Sequence, residues 1–244
     1  MGNIGILFKR EFSSFFASPV AYVFIGIFLV LSAVFTFFVG GFYERGQADL
    51  LPFFNFHPWL YLFLVPAIAM RSWSEERKSG TIELLMTLPI STWQAMVAKH
   101  LAAWAVLGLS LLLTFPLWLT VNYLGSPDNG IIIAAYLGSW LMAGAFLAIG
   151  LCMSALTKNQ VIAFILALVV CFLFVVSGSN IVLDAFKSWA PSLVIDLVAS
   201  FSFLTHFQAM AKGVIALNDV MYFLLVTMTW LFAGLVLIEQ KKAD

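Results

Sequence analysis

Residues 131–156 read IIIAAYLGSWLMAGAFLAIGLCMSAL, and they lie within an interval of 29 residues, from Asp128 to Lys158, that contains no charged side chain. A helix needs about 20 consecutive, mostly apolar residues to cross the hydrocarbon core of a bilayer. The run is continuous and lacks the alternation of apolar and polar residues that marks a strand of a membrane barrel. It therefore predicts a transmembrane α-helix.

Five other intervals without charge reach a comparable length. They hold 32 residues after Glu11, 21 after Asp49, 28 after Lys99, 25 after Lys158 and 19 after Asp219. Each is long enough to span a bilayer as a helix. The sequence thus predicts an all-α integral membrane protein whose residues 1–244 form one transmembrane domain. We expect spans near residues 20–40, 53–71, 97–124, 131–156, 160–180 and 219–238.

The composition of the chain supports the same fold class. Hydrophobic residues make up 63% of the 244 residues and charged residues only 10%, against about 25% charged in a typical soluble domain. A soluble enzyme is therefore excluded. The 12 basic and 12 acidic residues balance, so the basic surface of a nucleic-acid-binding protein is absent as well. Cys152 and Cys171 lie in apolar runs and are interpreted as small buried side chains.

The basic residues predict the orientation of the spans. Six spans place both termini on one side, together with nine of the twelve Lys and Arg residues. The other side receives Arg45, Lys187 and Lys212. Because cytoplasmic connections are enriched in Lys and Arg, we expect both termini to be cytoplasmic. The first apolar run is too long for a cleavable signal peptide, so none is expected.

Residues 4–17 precede the first span and carry apolar side chains at helical spacing, among them Phe8, Phe12 and Phe16. Lys9 and Arg10 fall on the other face. This pattern predicts an amphipathic helix that lies in the cytoplasmic interface and turns into the first span at Ser18-Pro19. The alternative is a single long tilted helix over residues 12–40.

The connection between the second and third spans reads RSWSEERKSGTIELLMTLPISTWQAMVAK over residues 71–99. Ser72 with Glu75, and Ser91 with Gln94, have the spacing of capping boxes. Gly80 is typical of a helix C-terminus, whereas Thr81 suits the start of the next helix. The pattern predicts a short polar helix, a sharp turn, a helix that ends at Pro89, and then the third span. The alternative is a solvated charged connection with ordinary turn residues.

The connection of residues 181–218 is too apolar for a free loop and too interrupted for a span. We expect it to form one or two helices at the outer interface.

The sequence gives no sign of a catalytic site or of a nucleotide-binding site within the chain itself. The sequence lacks a Gly-x-x-x-x-Gly-Lys-Ser/Thr phosphate loop and a His-Glu-x-x-His zinc motif, and its three histidines are scattered. The predicted spans also lack the buried charges that are typical of ion-coupled pumps.

The segment from Glu75 to Lys99 resembles the cytoplasmic loop of type-2 ABC transporter permeases. That loop has an acidic and basic cluster, then Gly-Thr-apolar-Glu-Leu-Leu, then a Pro-apolar-Ser step and a lysine that enters the next span. The matching residues are Glu75, Glu76, Arg77, Gly80, Thr81, Glu83, Leu84, Leu85, Pro89, Ser91 and Lys99. Residues 9–22, 66–73 and 154–164 are further similar to the gliding-motility-associated permease subunits of that family.

This resemblance implies a six-helix permease subunit of an ATP-driven transporter of exporter type, located in the bacterial cytoplasmic (inner) membrane. A separate ABC ATPase in two copies would bind ATP and Mg, and this chain would be neither an enzyme nor a cofactor-binding subunit. A second permease copy, as a homodimer, and an auxiliary membrane-anchored subunit with an extracytoplasmic domain are implied as partners. The expected sites are the interfacial elbow at Phe8, Phe12 and Phe16, and the coupling element at Glu75, Glu76, Arg77, Lys78, Gly80, Thr81 and Glu83.

Two other classes of function remain compatible with the residues themselves. One is a self-contained channel or carrier, and the other is an intramembrane enzyme. A neighbouring gene for an ATPase with a phosphate loop would favour the ABC permease, whereas transport by the purified chain without ATP would favour the channel or carrier.

Overall fold

The computed structural model describes residues 3–82, 89–187 and 190–240, and within these ranges the regular structure is entirely helical. The helices are α1 (Asn3–Ala17), α2 (Val20–Val34) with a π-helical turn (Phe35–Val39), α3 (Leu51–Asn55), α4 (His57–Ala69), α5 (Arg71–Ser79), α6 (Thr92–Leu112), α7 (Phe115–Leu124), α8 (Asn129–Leu156), α9 (Gln160–Val176), α10 (Asn180–Lys187), α11 (Ser192–Ser200), α12 (Phe203–Ala211) and α13 (Leu217–Gln240).

Four segments of the described chain are long and apolar enough to cross a membrane. They are Val20–Val39, Thr92–Leu124, Asn129–Leu156 and Leu217–Gln240. Helix α9 is apolar but has 17 residues, and the span expected near residues 53–71 is divided into α3 and α4. Helices α11 and α12 are bent by 62° and together form a broken or re-entrant fifth candidate. A count of six spans therefore stays a prediction.

Helix α8 forms the centre of the bundle. It contacts α4, α6, α9, α12 and α13, and 20 of its 28 residues are buried. A helix that is apolar on all sides is expected in such a position. Its glycines allow close contact, since a Cβ added at Gly150 would lie 2.5 Å from the Cβ of Ala69 in α4. An added Cβ at Gly138 would lie 2.8 Å from that of Met210 in α12.

Helices α6 and α8 are joined by a reciprocal tryptophan pair. The rings of Trp104 and Trp140 stack with their centroids 4.1 Å apart, and the indole N–H of Trp104 donates to the Trp140 carbonyl at 2.8 Å. The Trp140 N–H in turn points to the Trp104 carbonyl at 3.4 Å. Each ring covers the glycine one turn further along the opposite helix: Trp140 lies over Gly108 and Trp104 lies over Gly144.

The N-terminal region forms two helices, because the chain turns at Ser18-Pro19 between α1 and α2. The alternative of one long helix over residues 12–40 is therefore wrong. Helix α1 packs against α6, and Phe12 and Phe16 are half-buried against the core of the bundle. Phe8 stacks on Phe12 with centroids 5.7 Å apart.

The connection after the fifth predicted span contains three helices, α10, α11 and α12, rather than one or two. Helix α12 buries Phe203, Phe207 and Met210, and it packs against α8 and α13. Polar side chains cap the first turns of α12 and α8. Ser202 accepts from the Thr205 N–H at the start of α12, and Asp128 accepts from Gly130 and Ile131 at the start of α8.

We expect Gly144→Ala to destabilise the fold. The new Cβ would meet the Trp104 Nε1 at 2.9 Å, and that ring is held by its stack and its hydrogen bond. Overpacking of this kind costs about 1–3 kcal/mol. The matched control is Gly26→Ala in α2, where an added Cβ meets nothing within 4 Å and helix propensity improves by about 1 kcal/mol.

Thermal unfolding in detergent checks this difference. We expect a lower melting temperature for Gly144→Ala and an equal or higher one for Gly26→Ala than for the wild type. Equal melting temperatures for the two variants would contradict the packing of Trp104 on Gly144.

Candidate functional site

Helix α5 follows α4 after a bend at Met70 and is docked on the end of α8 by Ser154. The Ser154 hydroxyl accepts from the backbone N–H groups of Trp73 at 3.0 Å and Ser74 at 3.1 Å, and it donates to the Met70 carbonyl at 2.9 Å. The first N–H groups of a helix have no partner within that helix. A side chain of α8 therefore supplies the cap that begins α5.

Arg77 fixes α5 to the same end of α8. Its Nη1 donates to the Ala155 carbonyl at 2.7 Å, in the last turn of α8, where carbonyls lack partners within the helix. The positive charge also suits the negative end of the helix dipole. Between these two attachments the Trp73 side chain is fully buried. Helix α5 is thus fixed to α8 along one face.

Lys99 links three helices at this end of the bundle, which we call the α5 end. Its Nζ, in α6, lies 2.6 Å from a carboxylate oxygen of Glu76 in α5 and 3.0 Å from one of Glu11 in α1. It also lies 5.3 Å from the centre of the Trp73 ring, which adds a cation–π contact. Only 6% of the Lys99 side chain is exposed, so its charge depends on these partners.

The charges around Lys99 keep Glu11 ionised. Burial raises the pKa of the Glu11 carboxyl, but the attraction of Lys99 and the hydrogen bonds from Arg10 and Lys99 outweigh it, so the pKa lies below its usual value. A cavity of about 330 Å³ adjoins the three charged side chains. It lies between α1, α4, α5 and α6, and Ser14, Ser18, Arg71 and Glu75 also line it.

The predicted coupling residues divide between two faces of α5. Glu75 and Lys78 are exposed, and Glu75 pairs with Arg71 at 3.0 Å. Glu76 and Arg77 are instead engaged with Lys99 and with the end of α8. Glu76 and Arg77 are thus half-buried and already bonded within this chain, whereas a role of the four charges in coupling stays a prediction. A sequence pattern could not separate them, because their partners are distant in the chain.

The structure around the turn after α5 confirms some of the predictions made from the sequence and contradicts another. Gly80 ends the helix in a left-handed conformation, with a φ of 73°, and Thr81 is exposed. The capping box predicted at Ser72 is wrong, since α5 begins at Arg71 and no side chain of its own caps it. The capping box of Ser91 and Gln94 is confirmed at the start of α6. Glu83 lies outside the described residues, as do Leu84 and Leu85.

Sequence reasoning missed Ser154 and Glu11 as parts of this site. Ser154 is one of several small residues in an apolar helix, and its bonds reach residues about 80 positions away. Glu11 lies 88 positions before Lys99. The only signal in the sequence was a lysine at the start of an apolar span, which needs an acidic partner if it is buried.

The three histidines lie in different parts of the fold. His57 in α4 is hydrogen-bonded to Ser139, His100 in α6 lies beside Trp104, and His206 in α12 contacts Asp219. Within the described ranges, no group of three or more His, Cys, Asp or Glu side chains could hold a metal ion.

We expect Lys99→Met to destabilise the protein near neutral pH, because it leaves the half-buried carboxylates of Glu76 and Glu11 without their shared ammonium group. Removing one partner of a fully buried ion pair costs about 3–5 kcal/mol, and the loss here should be smaller because both carboxylates are partly exposed and Glu11 keeps its pair with Arg10. Acid should reduce the difference. The stability that comes from the lowered pKa of Glu11 is present at neutral pH and is lost as the pH falls through that pKa.

The measurement is the melting temperature of the wild type and of Lys99→Met at pH 7 and pH 4. The triple variant Lys99→Met, Glu11→Gln, Glu76→Gln is the control, since it removes the carboxylates as well. A deficit of Lys99→Met that is equal at both pH values would show that the charges do not stabilise this site.

Comparison with known protein families shows which family this chain belongs to. A family model described as "ABC-2 family transporter protein" matches residues 43–238. No curated protein matches the chain. The match includes α5 with its attachments to α6 and α8, whereas α1 and Glu11 precede it. Since it covers 196 of the 244 residues, the chain belongs to the ABC-2 family of transporter proteins.

Proposed function

We propose that this chain is the permease subunit of an ATP-driven ABC transporter of exporter type, and that α5 is the element on which a separate ATPase acts. The observation that carries the proposal is the two-sided character of α5. One face is exposed and charged, with Glu75 and Lys78, and the other is bonded to α1, α6 and α8. Such a helix can receive a partner and pass its movement to the bundle.

The attachments of α5 suggest how that movement reaches the transmembrane helices. Ser154 and Arg77 join α5 to α8, and Glu76 joins it to α6 and α1 through Lys99. Helix α8 in turn contacts five other helices. A displacement of α5 would therefore move α8 and α6 as rigid bodies. The chemistry of ATP and Mg would remain in the ATPase.

The family and the charges also support a proposed assembly and location. We propose two permease copies, as a homodimer, with two ATPase subunits and an auxiliary subunit that has an extracytoplasmic domain. The similarity of residues 9–22, 66–73 and 154–164 supports the gliding-motility-associated subgroup. The distribution of Lys and Arg supports six spans with both termini and the α5 end in the cytoplasm of a bacterium. The complex would move a substrate or do mechanical work across the inner membrane.

Mass measurement of the complex in nanodiscs tests this assembly. We expect two permeases with two ATPases, and we expect Glu75→Lys to weaken ATPase binding roughly threefold to tenfold at low salt, because Glu75 lies on the exposed face of α5. The loss should shrink at high salt, where exposed charges are screened.

The control for this measurement is Glu44→Lys, which reverses an exposed charge at the opposite end of the bundle. It should bind the ATPase as the wild type does. A lone permease with one ATPase would contradict the proposed stoichiometry, and equal binding by both variants would contradict docking on α5. Transport by the permease without ATP would overturn the proposed function itself.

Gly80→Val tests whether the turn after α5 serves coupling. A Cβ added at Gly80 meets nothing within 4 Å, but a φ of +73° is unfavourable for valine by about 1 kcal/mol or more. Gly46→Val is a matched control, because Gly46 has a φ of +61°, no neighbour within 4 Å and a place at the opposite end.

Both variants should insert and lose a similar amount of stability, so their melting temperatures should match. We expect only Gly80→Val to reduce the ATP hydrolysis that the assembled complex couples to transport. If the two variants hydrolyse ATP alike, the turn at Gly80 has no part in coupling.

A further inference from the structure

The cavity at the α5 end has a lining that is partly charged and partly apolar. Its volume of about 330 Å³ falls within the range of about 300–1,000 Å³ that is usual for small-molecule sites. The charged side chains come from α1, α5 and α6, whereas Phe15 of α1, Val20 of α2 and Ile68 of α4 supply apolar surface. Such a lining suits a molecule that is polar at one end and apolar at the other.

Positive and negative charges balance around this cavity. Three carboxylates and two cations line it, and Arg10 adds a third cation through its bond to Glu11. The charged lining residues are Glu11, Arg71, Glu75, Glu76 and Lys99. A ligand with a net charge would leave one charge uncompensated in a partly buried site, which is unfavourable. A zwitterion, which carries one charge of each sign, keeps the balance.

Arg71 and Glu75 are the charged groups that a ligand can reach. Their side chains are 43% and 49% exposed, whereas Lys99 is 6% exposed and is held by two carboxylates. Arg71 donates two N–H groups to Glu75, at 3.0 and 3.2 Å, out of the five that a guanidinium carries. Its other N–H groups make no hydrogen bond to the described residues. They can therefore donate to a phosphate, while Glu75 accepts from an ammonium group.

The apolar part of the lining continues into a stripe along α2. Val20, at the cavity, is followed at helical spacing by side chains that are 40–61% exposed, namely Val23, Ile27, Val30 and Val34. Residues with this spacing lie on one face of a helix. Because α2 belongs to a segment long and apolar enough to cross a membrane, this face is available to lipid chains. A molecule with its polar end in the cavity can thus extend apolar chains along α2.

We propose that the cavity binds the headgroup of an ethanolamine phospholipid, with its phosphate on Arg71, its ammonium group on Glu75 and its acyl chains along the α2 stripe. A primary ammonium donates hydrogen bonds to a carboxylate, whereas the quaternary ammonium of a choline lipid has no hydrogen to donate. A glycerol phospholipid brings only a negative charge. On the proposed sidedness, the bound lipid belongs to the cytoplasmic leaflet and stabilises the position of α5 beside α2.

Native mass spectrometry of the full-length permease in detergent tests this site. The protein is titrated with ethanolamine, choline and glycerol phospholipids that share the same acyl chains. We expect one ethanolamine lipid per permease, bound about five- to tenfold more tightly than the other two, since each of those loses a charge contact in a partly exposed site. Equal retention of the three lipids, or retention of none, would overturn the proposal. The measurement needs neither the ATPase nor transport, so it can fail independently of the proposed function.

Two variants assign the two ends of the headgroup. Arg71→Gln should weaken ethanolamine-lipid binding about five- to tenfold. Arg45→Gln is its matched control and should bind as the wild type does, because Arg45 forms the same kind of exposed pair, with Asp49 four positions on, at the opposite end of the bundle. Glu75→Gln should weaken the ethanolamine lipid but strengthen the glycerol lipid, since a repelling charge is gone. Equal binding by the two arginine variants, or an unchanged preference in Glu75→Gln, would contradict the assigned contacts.

Crosslinking shows whether the occupant is a membrane lipid or a soluble molecule with the same headgroup. An ethanolamine phospholipid with a photoreactive acyl chain should label α2 more than α9 or α13, and free phosphorylethanolamine at the same concentration should not prevent the labelling. Equal labelling of the three helices would show only the general lipid shell of the bundle and would overturn the site. Loss of labelling with phosphorylethanolamine would show a soluble occupant and overturn the lipid.

Discussion

A helix surrounded by other helices can be packed closely only if its contacting side chains are small, and this constraint governs the molecule. Helix α8 meets it with glycine at positions 138, 144 and 150, which lie against α12, α6 and α4. In a membrane, where apolar side chains gain little by leaving lipid for protein, such close contacts supply much of the attraction between helices. The close approach of α4, α6 and α12 to α8 follows from these glycines.

The same helix also organises the α5 end. Because α8 is held by its neighbours, its last turn has a fixed position. The Ser154 hydroxyl and the Ala155 carbonyl are therefore available to α5 at fixed places. Helix α5 contributes one large buried side chain there, Trp73. The position of the helix is fixed by hydrogen bonds and by the buried charge of Lys99, which explains how a segment as polar as α5 remains ordered beside an apolar bundle.

The sequence allowed the all-helical membrane fold, the turn at Pro19, the left-handed Gly80 and the Ser91 capping box to be predicted, because each depends on residues within a few positions of one another. The second span was harder. Its charge-free interval predicts one helix, yet Pro52 and Pro58 each begin a new helix, so α3 and α4 are separate. The partners of Lys99 and Ser154 could not be predicted, since only the folded bundle brings them together.

The tryptophan pair between α6 and α8 has a mechanical consequence. The contact is nearly symmetric, with each indole filling the space above a glycine of the other helix and bonding to its backbone. Sliding one helix along the other, even by a single residue, would drive both rings onto side chains at once. The two helices can therefore tilt together but cannot change register. Helices α6 and α8 would then move as one rigid unit. Any passage that opens in this subunit must form between other helices of the bundle.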